Sequence, residues 1–316
     1  MNSSHISKLL LIGLVAALAG PISSRAASQP VRAGFLYALA DFTGPIRASF
    51  SRVVTDRGNN EVYVLYQNIV RVFNDSGMEI YRFGDDLDVG QILDVAVDRN
   101  GDILLLVFGG SRSALVRCNF RGEPKSVIEF KRFPPEFSGF NPNRMIYWQD
   151  AFYLISALGM KLVVADGEGF FKKGYDLIPL FELDEKDRGN VEIGGFSVDD
   201  GGNVLTTIPV LFRVFILSPD GAVTWFGKPG GGPGRFNIAA GVVKDSKGNY
   251  VVVDRLKCAV LVFDKNFNFR TQFGRRGYKP GELISPDEIA IDNHDRVYVT
   301  HAGKRAGVNV YALNYN

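Results

Sequence analysis

Cysteine and histidine are nearly missing from this chain of 316 residues: Cys118 and Cys258 are the only thiols, and there are three imidazoles. One of these, His5, lies within the first 26 residues, and the remaining His294 and His301 are too few for a catalytic zinc held by three imidazoles with an open fourth position. They also leave nucleophilic catalysis short of a candidate base. A surplus of one charge is missing too, since 36 Lys and Arg face 34 Asp and Glu. Removing residues 1–26 takes away Lys8 and Arg25 and no acid, so the remainder is balanced at 34 to 34 and general nucleic-acid affinity is not implied.

Long apolar runs are likewise absent. Lys8 is followed by the charge-free stretch Leu9 to Gly20, then by Pro21 and the small residues Ser23, Ser24, Ala26 and Ala27. That order is expected of a secretory signal peptide over residues 1–26, and the stretch is short of the roughly 20 residues that span a bilayer. The expected product is exported, to the periplasm, the cell surface or the medium, with no membrane span in the mature chain.

What the chain does have is a repeat. An apolar pair, an Asp, a Gly- or Asn-bearing turn and a second apolar run recur with anchors at Asp56, Asp98, Tyr147, Asp199, Asp245 and Asp292, spaced by 42, 49, 52, 46 and 47 residues. A period in the forties with strand-turn-strand texture marks propeller blades, which bury their faces only by stacking on one another. The clearest unit predicts strands at 241–244, 250–253, 259–263 and 269–273, with Asp245 and Gly248 supplying the local hydrogen bonds and positive φ of a tight turn. The reading is all-β, one domain over residues 30–316, with six four-stranded antiparallel blades. The last repeat runs out of residues after Ala312, so residues 35–42 are expected to supply its outer strand and remove a free edge. Cys118 falls where Phe73 and Phe263 stand in other repeats, a buried apolar position, and Cys258 opens a third strand. They lie in the second and fifth blades, too far apart for a disulfide, and are expected to be free thiols.

The strings Val95-Ala96-Val97-Asp98 and Gly241-Val242-Val243-Lys244-Asp245, with Phe-Gly at Phe83-Gly84, Phe226-Gly227 and Phe273-Gly274, resemble NHL repeats. The resemblance is strongest over residues 227–311 and weakest in the third repeat, where Tyr147 replaces the Asp. It implies a six-bladed propeller closed by its N-terminal strand, with a ligand face made by the loops that enter the inner strands and those joining second to third strands. Counting back four residues from each anchor lists the channel mouth as Arg52, Asp94, Asn143, Gly195, Gly241 and Glu288, and counting five back adds Asp287. Polar residues there either form a site or merely line a wet channel. Propellers of the gluconolactonase and strictosidine-synthase-like type are similar, and the former hold calcium through four oxygen-bearing residues. At those positions this chain offers Asp287, with Glu288, Asp94 and Asn143 one place along, so calcium or another divalent ion is the alternative to having no cofactor. The peptidyl-hydroxyglycine amidating lyases, similar in fold, hold zinc with three His, whereas the expected mature chain has only His294 and His301, on opposite faces.

Lys228 to Arg235 is Gly- and Pro-rich but has no Gly-Lys-Ser/Thr and precedes a strand, so it is read as a blade linker rather than a phosphate loop. Charge is uneven along the chain: residues 227–281 hold eleven basic side chains and three acids, while residues 175–205 hold eight acids and two basic side chains. Arg235, Arg255, Lys257, Arg275 and Arg276 fall in ligand-face loops, beside His301 and two apolar loops at residues 130–140 and 208–212 that are expected to be partly exposed. The function expected is a non-catalytic binding module that engages another exported or envelope protein through this face. The alternative is a metal-assisted hydrolase or lyase at the channel mouth.

Overall fold

The computed structural model describes residues 31–315, so the expected signal peptide lies outside the described residues. Six four-stranded antiparallel sheets are arranged as the blades of a propeller. Blade 1 consists of Arg52–Asp56, Glu61–Tyr66, Ile69–Phe73 and Glu79–Phe83; blade 2 of Gln91–Val97, Ile103–Gly109, Arg112–Cys118 and Pro124–Ile128. Blade 3 is Arg144–Trp148, Ala151–Ser156, Lys161–Asp166 and Phe171–Asp176; blade 4 is Phe196–Val198, Val204–Ile208, Arg213–Leu217 and Val223–Phe226. Blade 5 is Ala239–Lys244, Tyr250–Asp254, Ala259–Phe263 and Phe269–Phe273. Blade 6 has Ile289–Ile291, Arg296–His301 and Gly307–Tyr315, and takes its outer strand, Val31–Ala38, from the other end of the chain.

That closure runs antiparallel from Val31 opposite Tyr315 to Ala38 opposite Asn309, with an irregularity between Phe35 and Tyr37. The strand lies earlier than residues 35–42. Leu39 then turns inward, fully buried, and donates its amide to the Val308 carbonyl at 3.0 Å, which draws the chain from blade 6 toward blade 1. Phe42 therefore ends no blade strand. It stands 96 % exposed beside the two-stranded pairing of Ala40–Asp41 with Gly44–Pro45.

Burial follows the blade interfaces. Each of six apolar clusters draws its residues from two neighbouring blades: Tyr63 with Ile103 between blades 1 and 2, Leu106 with Phe152 between 2 and 3, and Ile155 with Phe215 between 3 and 4. Leu205 with Leu261, Val253 with Val299, and Val64 with Val310 complete the ring. Cys118 and Cys258 are free and buried in different clusters, the first between blades 1 and 2 and the second between 5 and 6. Burial pushes the Cys118 thiol up to about 11. Cys258 is not the first strand residue but the last of the preceding turn, in the left-handed region at φ 53°.

The turns between first and second strands all lie on one face, and four share one device. Oδ1 of Asp98, Asp199, Asp245 and Asp292 accepts the amides two and four residues ahead, at 2.8–3.0 Å. Blade 3 departs from this. Its strands are joined by Gln149 and Asp150 alone, both at positive φ (46° and 58°), the two-residue hairpin whose twist suits antiparallel strands.

Candidate functional site

At the opposite end of the channel, where the loops enter the inner strands, four charged side chains from four blades meet. Arg52 heads the inner strand of blade 1 and grips Asp94 of blade 2 with two hydrogen bonds, Nε to Oδ1 at 3.2 Å and Nη2 to Oδ2 at 2.9 Å. Its Nη1 donates to Glu288, at the mouth of blade 6, and the other Glu288 oxygen accepts from Nη1 of Arg144 on blade 3. Asp94 also accepts the amides of Val95 at 2.9 Å and Met145 at 2.8 Å, which ties blade 2 to blade 3. Two guanidiniums and two carboxylates cancel, and each carboxylate lies between donors. A planar, always charged guanidinium is the side chain suited to such bidentate, desolvated pairing.

The remaining two mouth positions are glycines because nothing larger fits. A Cβ on Gly195 would stand 2.4 Å from the Ala240 carbonyl oxygen, and one on Gly241 would meet Ile289 at 2.7 Å. On that side the inner strands approach backbone to backbone, with the Gly241 amide donating to the Asp287 carbonyl at 2.8 Å. The mouth is thus closed by ion pairs across blades 1, 2, 3 and 6 and by main chain across blades 4 and 5.

Burial pushes the Glu288 carboxyl up, but Arg144 and Arg52 outweigh it and hold it below its ordinary value of 4.5. Burial pulls the Arg52 guanidinium down, and Asp94 with Glu288 outweigh that to leave it raised. Both partners are therefore charged across the physiological range.

Arg52, Asp94 and Glu288, anticipated at the mouth, are brought together there. Asn143 is not among them. Its amide bonds to the Ile155 carbonyl at 2.9 Å, and its Oδ1 accepts the Ala157 amide at 2.9 Å, so it tethers a turn of blade 3 at the surface. The ring member is Arg144, paired with Ile155 as Arg52 is paired with Leu65. The two-residue hairpin moves the true anchor of the third repeat from Tyr147 to Trp148, and the count shifts by one. The Gln-Asp dipeptide before the apolar run at residue 151 was the only signal of this in the sequence.

Asp287 is part of a separate pair with Arg255. The oxygen-bearing residues considered for calcium therefore do not fit it. Asp94, Glu288 and Asp287 spend their carboxylates on guanidiniums and Asn143 spends its oxygen on a backbone amide, whereas calcium requires six to eight oxygens around one point.

His301, at the end of the second strand of blade 6, is buried at 8 % exposure, and among the described residues its Nδ1 has no hydrogen-bond partner. Burial lowers its affinity for a proton, against smaller contributions from Ala302 and Asn309. The other anticipated basic residues occupy loops of blades 5 and 6. Lys257 donates to the Gly232 carbonyl at 2.7 Å and its ammonium is lowered by burial; Arg235 donates to the Pro229 carbonyl at 3.2 Å. Arg275 pairs with Glu282 at 2.9 Å yet remains 75 % exposed, and Arg276, Lys279, Lys304 and Arg305 are exposed. Of the two apolar loops, the longer folds on itself. Phe130, Phe133, Phe137, Phe140 and Phe171 form a chain of ring contacts at 5.3–6.3 Å. The shorter exposes Val210, at 55 %.

Beneath the Arg52 plug the channel is hollow: a cavity of about 450 Å³ extends between the inner strands to the face of the Asp turns. It opens on the side opposite to the anticipated ligand face, and the sequence pattern did not reveal it, because inner-strand residues read simply as core.

Residues 235–314 match the profile of a family described as a 6-bladed beta-propeller. A stretch of 87 residues is 28% identical to Protein brain tumor of Drosophila melanogaster, covering 27% of this chain and 8% of that protein. Among solved structures, a streptogramin B lyase is similar with a TM-score of 0.60 at 10% identity, over 90% of this chain and 98% of that one. A gluconolactonase of Xanthomonas campestris is similar with a TM-score of 0.58 at 13% identity, over 91% and 92%. At such identities the structural likeness shows the fold alone. The chain is a six-bladed β-propeller, and its repeats are similar to NHL repeats.

Proposed function

We propose that this chain is an exported, non-catalytic binding module that engages an acidic segment of another envelope or extracellular protein through the blade 5 and 6 sector of its loop face. The observation that carries this reading is the pairing of Asp94, Asp287 and Glu288 with arginines. A hydrolase or lyase of the gluconolactonase kind would need those carboxylates free for a metal or a proton, and releasing Asp94 or Glu288 leaves a desolvated guanidinium behind. Two basic side chains of the sector are in the opposite condition: Arg276 and Lys279 face solvent, and the same loops expose Tyr278, at 51 %, and Leu256, at 62 %. A charged rim around exposed apolar side chains is the composition of a recognition surface, with charge setting the association rate and apolar contact the residence time.

The test is affinity capture from an envelope extract of the native source with purified protein, compared with the double variant Arg276→Glu/Lys279→Glu. The reading expects a partner that elutes as salt is raised and is lost from the variant. Capture that persists in high salt and in the variant, or a stoichiometric divalent ion that survives dialysis, contradicts it.

A further inference from the structure

The hollow half of the channel has the size of a small-molecule site, about 450 Å³ against roughly 300–1,000 Å³ for ligand pockets in general. Its walls are inner-strand side chains such as Val54, Val97, Ile146, Val198 and Ile291, with Trp148 near the opening. The polar side chains among them are already used. Thr55 Oγ1 donates to the Ile291 carbonyl at 2.9 Å and Ser197 Oγ to the Val242 carbonyl at 2.7 Å, each stitching neighbouring inner strands. The ceiling, Arg52, commits one donor on each of its three nitrogens to Asp94 or Glu288. Water entering such a compartment is left with main-chain groups of the inner strand edges and few unspent side chains, so an apolar guest competes with it for the aliphatic walls.

The rim is charged and loosely held. Arg57 of blade 1 pairs with Asp200 of blade 4, across the ring, and the two side chains are 38 % and 77 % exposed. Arg99 of blade 2 pairs with Asp150 at 3.1 Å, both mostly exposed. Exposed pairs of this kind contribute little and exchange readily. The acids Asp98 and Asp199 at the same rim are not available, because their oxygens hold their own turn amides and the cations of Arg117 and Lys244. Two guanidiniums thus stand at the opening with weak partners.

We infer that the channel below the plug binds an elongated apolar molecule with one anionic head, of the class of medium-chain alkyl carboxylates. The tail lies between the inner strands and the head displaces Asp200 to reach Arg57 and Arg99. The four residues below Arg52 on an inner strand such as Arg52–Asp56, at roughly 3.3 Å per residue, give a channel about 13 Å long, the reach of an extended ten-carbon chain.

Only two tryptophans occur, Trp148 at the opening and Trp225 on the outer strand of blade 4. In the variant Trp225→Phe, fluorescence reports on Trp148 alone, and titration with 10-bromodecanoate is expected to quench it saturably, with decanoate competing. Arg57→Ala is expected to weaken binding about tenfold, the value of one charge-assisted contact, and Asp200→Ala to tighten it by removing the competing anion. Val54→Phe, which fills the channel, is expected to abolish saturation. Absence of saturable quenching, equal affinity in Arg57→Ala and Asp200→Ala, or decyltrimethylammonium binding as well as decanoate would overturn the inference. If Val54→Phe does not fold, the opposite shifts expected of the two exposed rim variants still decide the matter.

Discussion

At the level of single residues, Glu288 is the side chain on which most depends. It is 6 % exposed and takes one arginine on each oxygen, so replacing it with Gln leaves two guanidiniums with half their neutralisation in a desolvated place. Removing one partner of a buried pair costs about 3–5 kcal/mol, and chemical denaturation of Glu288→Gln should show a loss of that order. His301 gives a pH dependence of known sign. Its imidazole is buried and its affinity for a proton is lowered, so the fold holds it neutral. The unfolded chain then binds more protons than the folded one, starting near the ordinary value of 6.5 and continuing downward. The contribution of neutral His301 is fully present above that pH and is lost as the solution is acidified through the lowered value. Melting temperatures of wild type and His301→Gln should therefore converge as pH falls from neutrality toward 5, where carboxylates are still ionised. A gap that stays constant would remove His301 as the cause.

At the level of the element, the informative piece is the hairpin of blade 3. Gln149 and Asp150 both adopt positive φ, which costs non-glycine residues about 1 kcal/mol each and suits Asn-Gly best. Replacing the pair with Asn-Gly should stabilise the protein by about 1 kcal/mol, read as a raised denaturation midpoint, since the exposed Arg99–Asp150 pair given up contributes little. The same hairpin explains where reading the sequence succeeded and where it slipped. Asp56, Asp98, Asp199, Asp245 and Asp292 announced their turns because an Asp followed by Gly or Asn has a local mechanism, and five of six inner strands could be placed from them. The third turn uses backbone twist alone, which leaves no Asp to count from. Asn143 was therefore placed on the ring and Arg144 was not, one residue away. The outer strand of blade 6 was anticipated from the shortage of chain at the far end, but its bounds were not, because Leu39 leaves the sheet to fill the interface between blades 6 and 1.

At the scale of the whole molecule, the disc has one closed and one hollow end. The closed end was legible as a ring of polar residues, Arg52, Asp94 and Glu288. Its pairing was not legible, since periodicity places residues on a rim without saying which side chains reach across it. The hollow end escaped entirely, because channel walls and blade interfaces use the same β-branched residues. The asymmetry of charge survives folding: acidic loops at Asp85, Asp86 and Asp88 and at Asp184, Glu185 and Asp187 belong to blades 1 to 4, and the exposed basic loops to blades 5 and 6. The central claim is that the mouth carboxylates are neutralised by arginine and not built for a cation. A ligand that binds only the folded state raises its stability in proportion to occupancy. Thermal unfolding recorded in excess calcium and in excess chelator is the direct measurement: coincident curves are predicted, and a rise of melting temperature with calcium that Glu288→Gln abolishes would contradict the account.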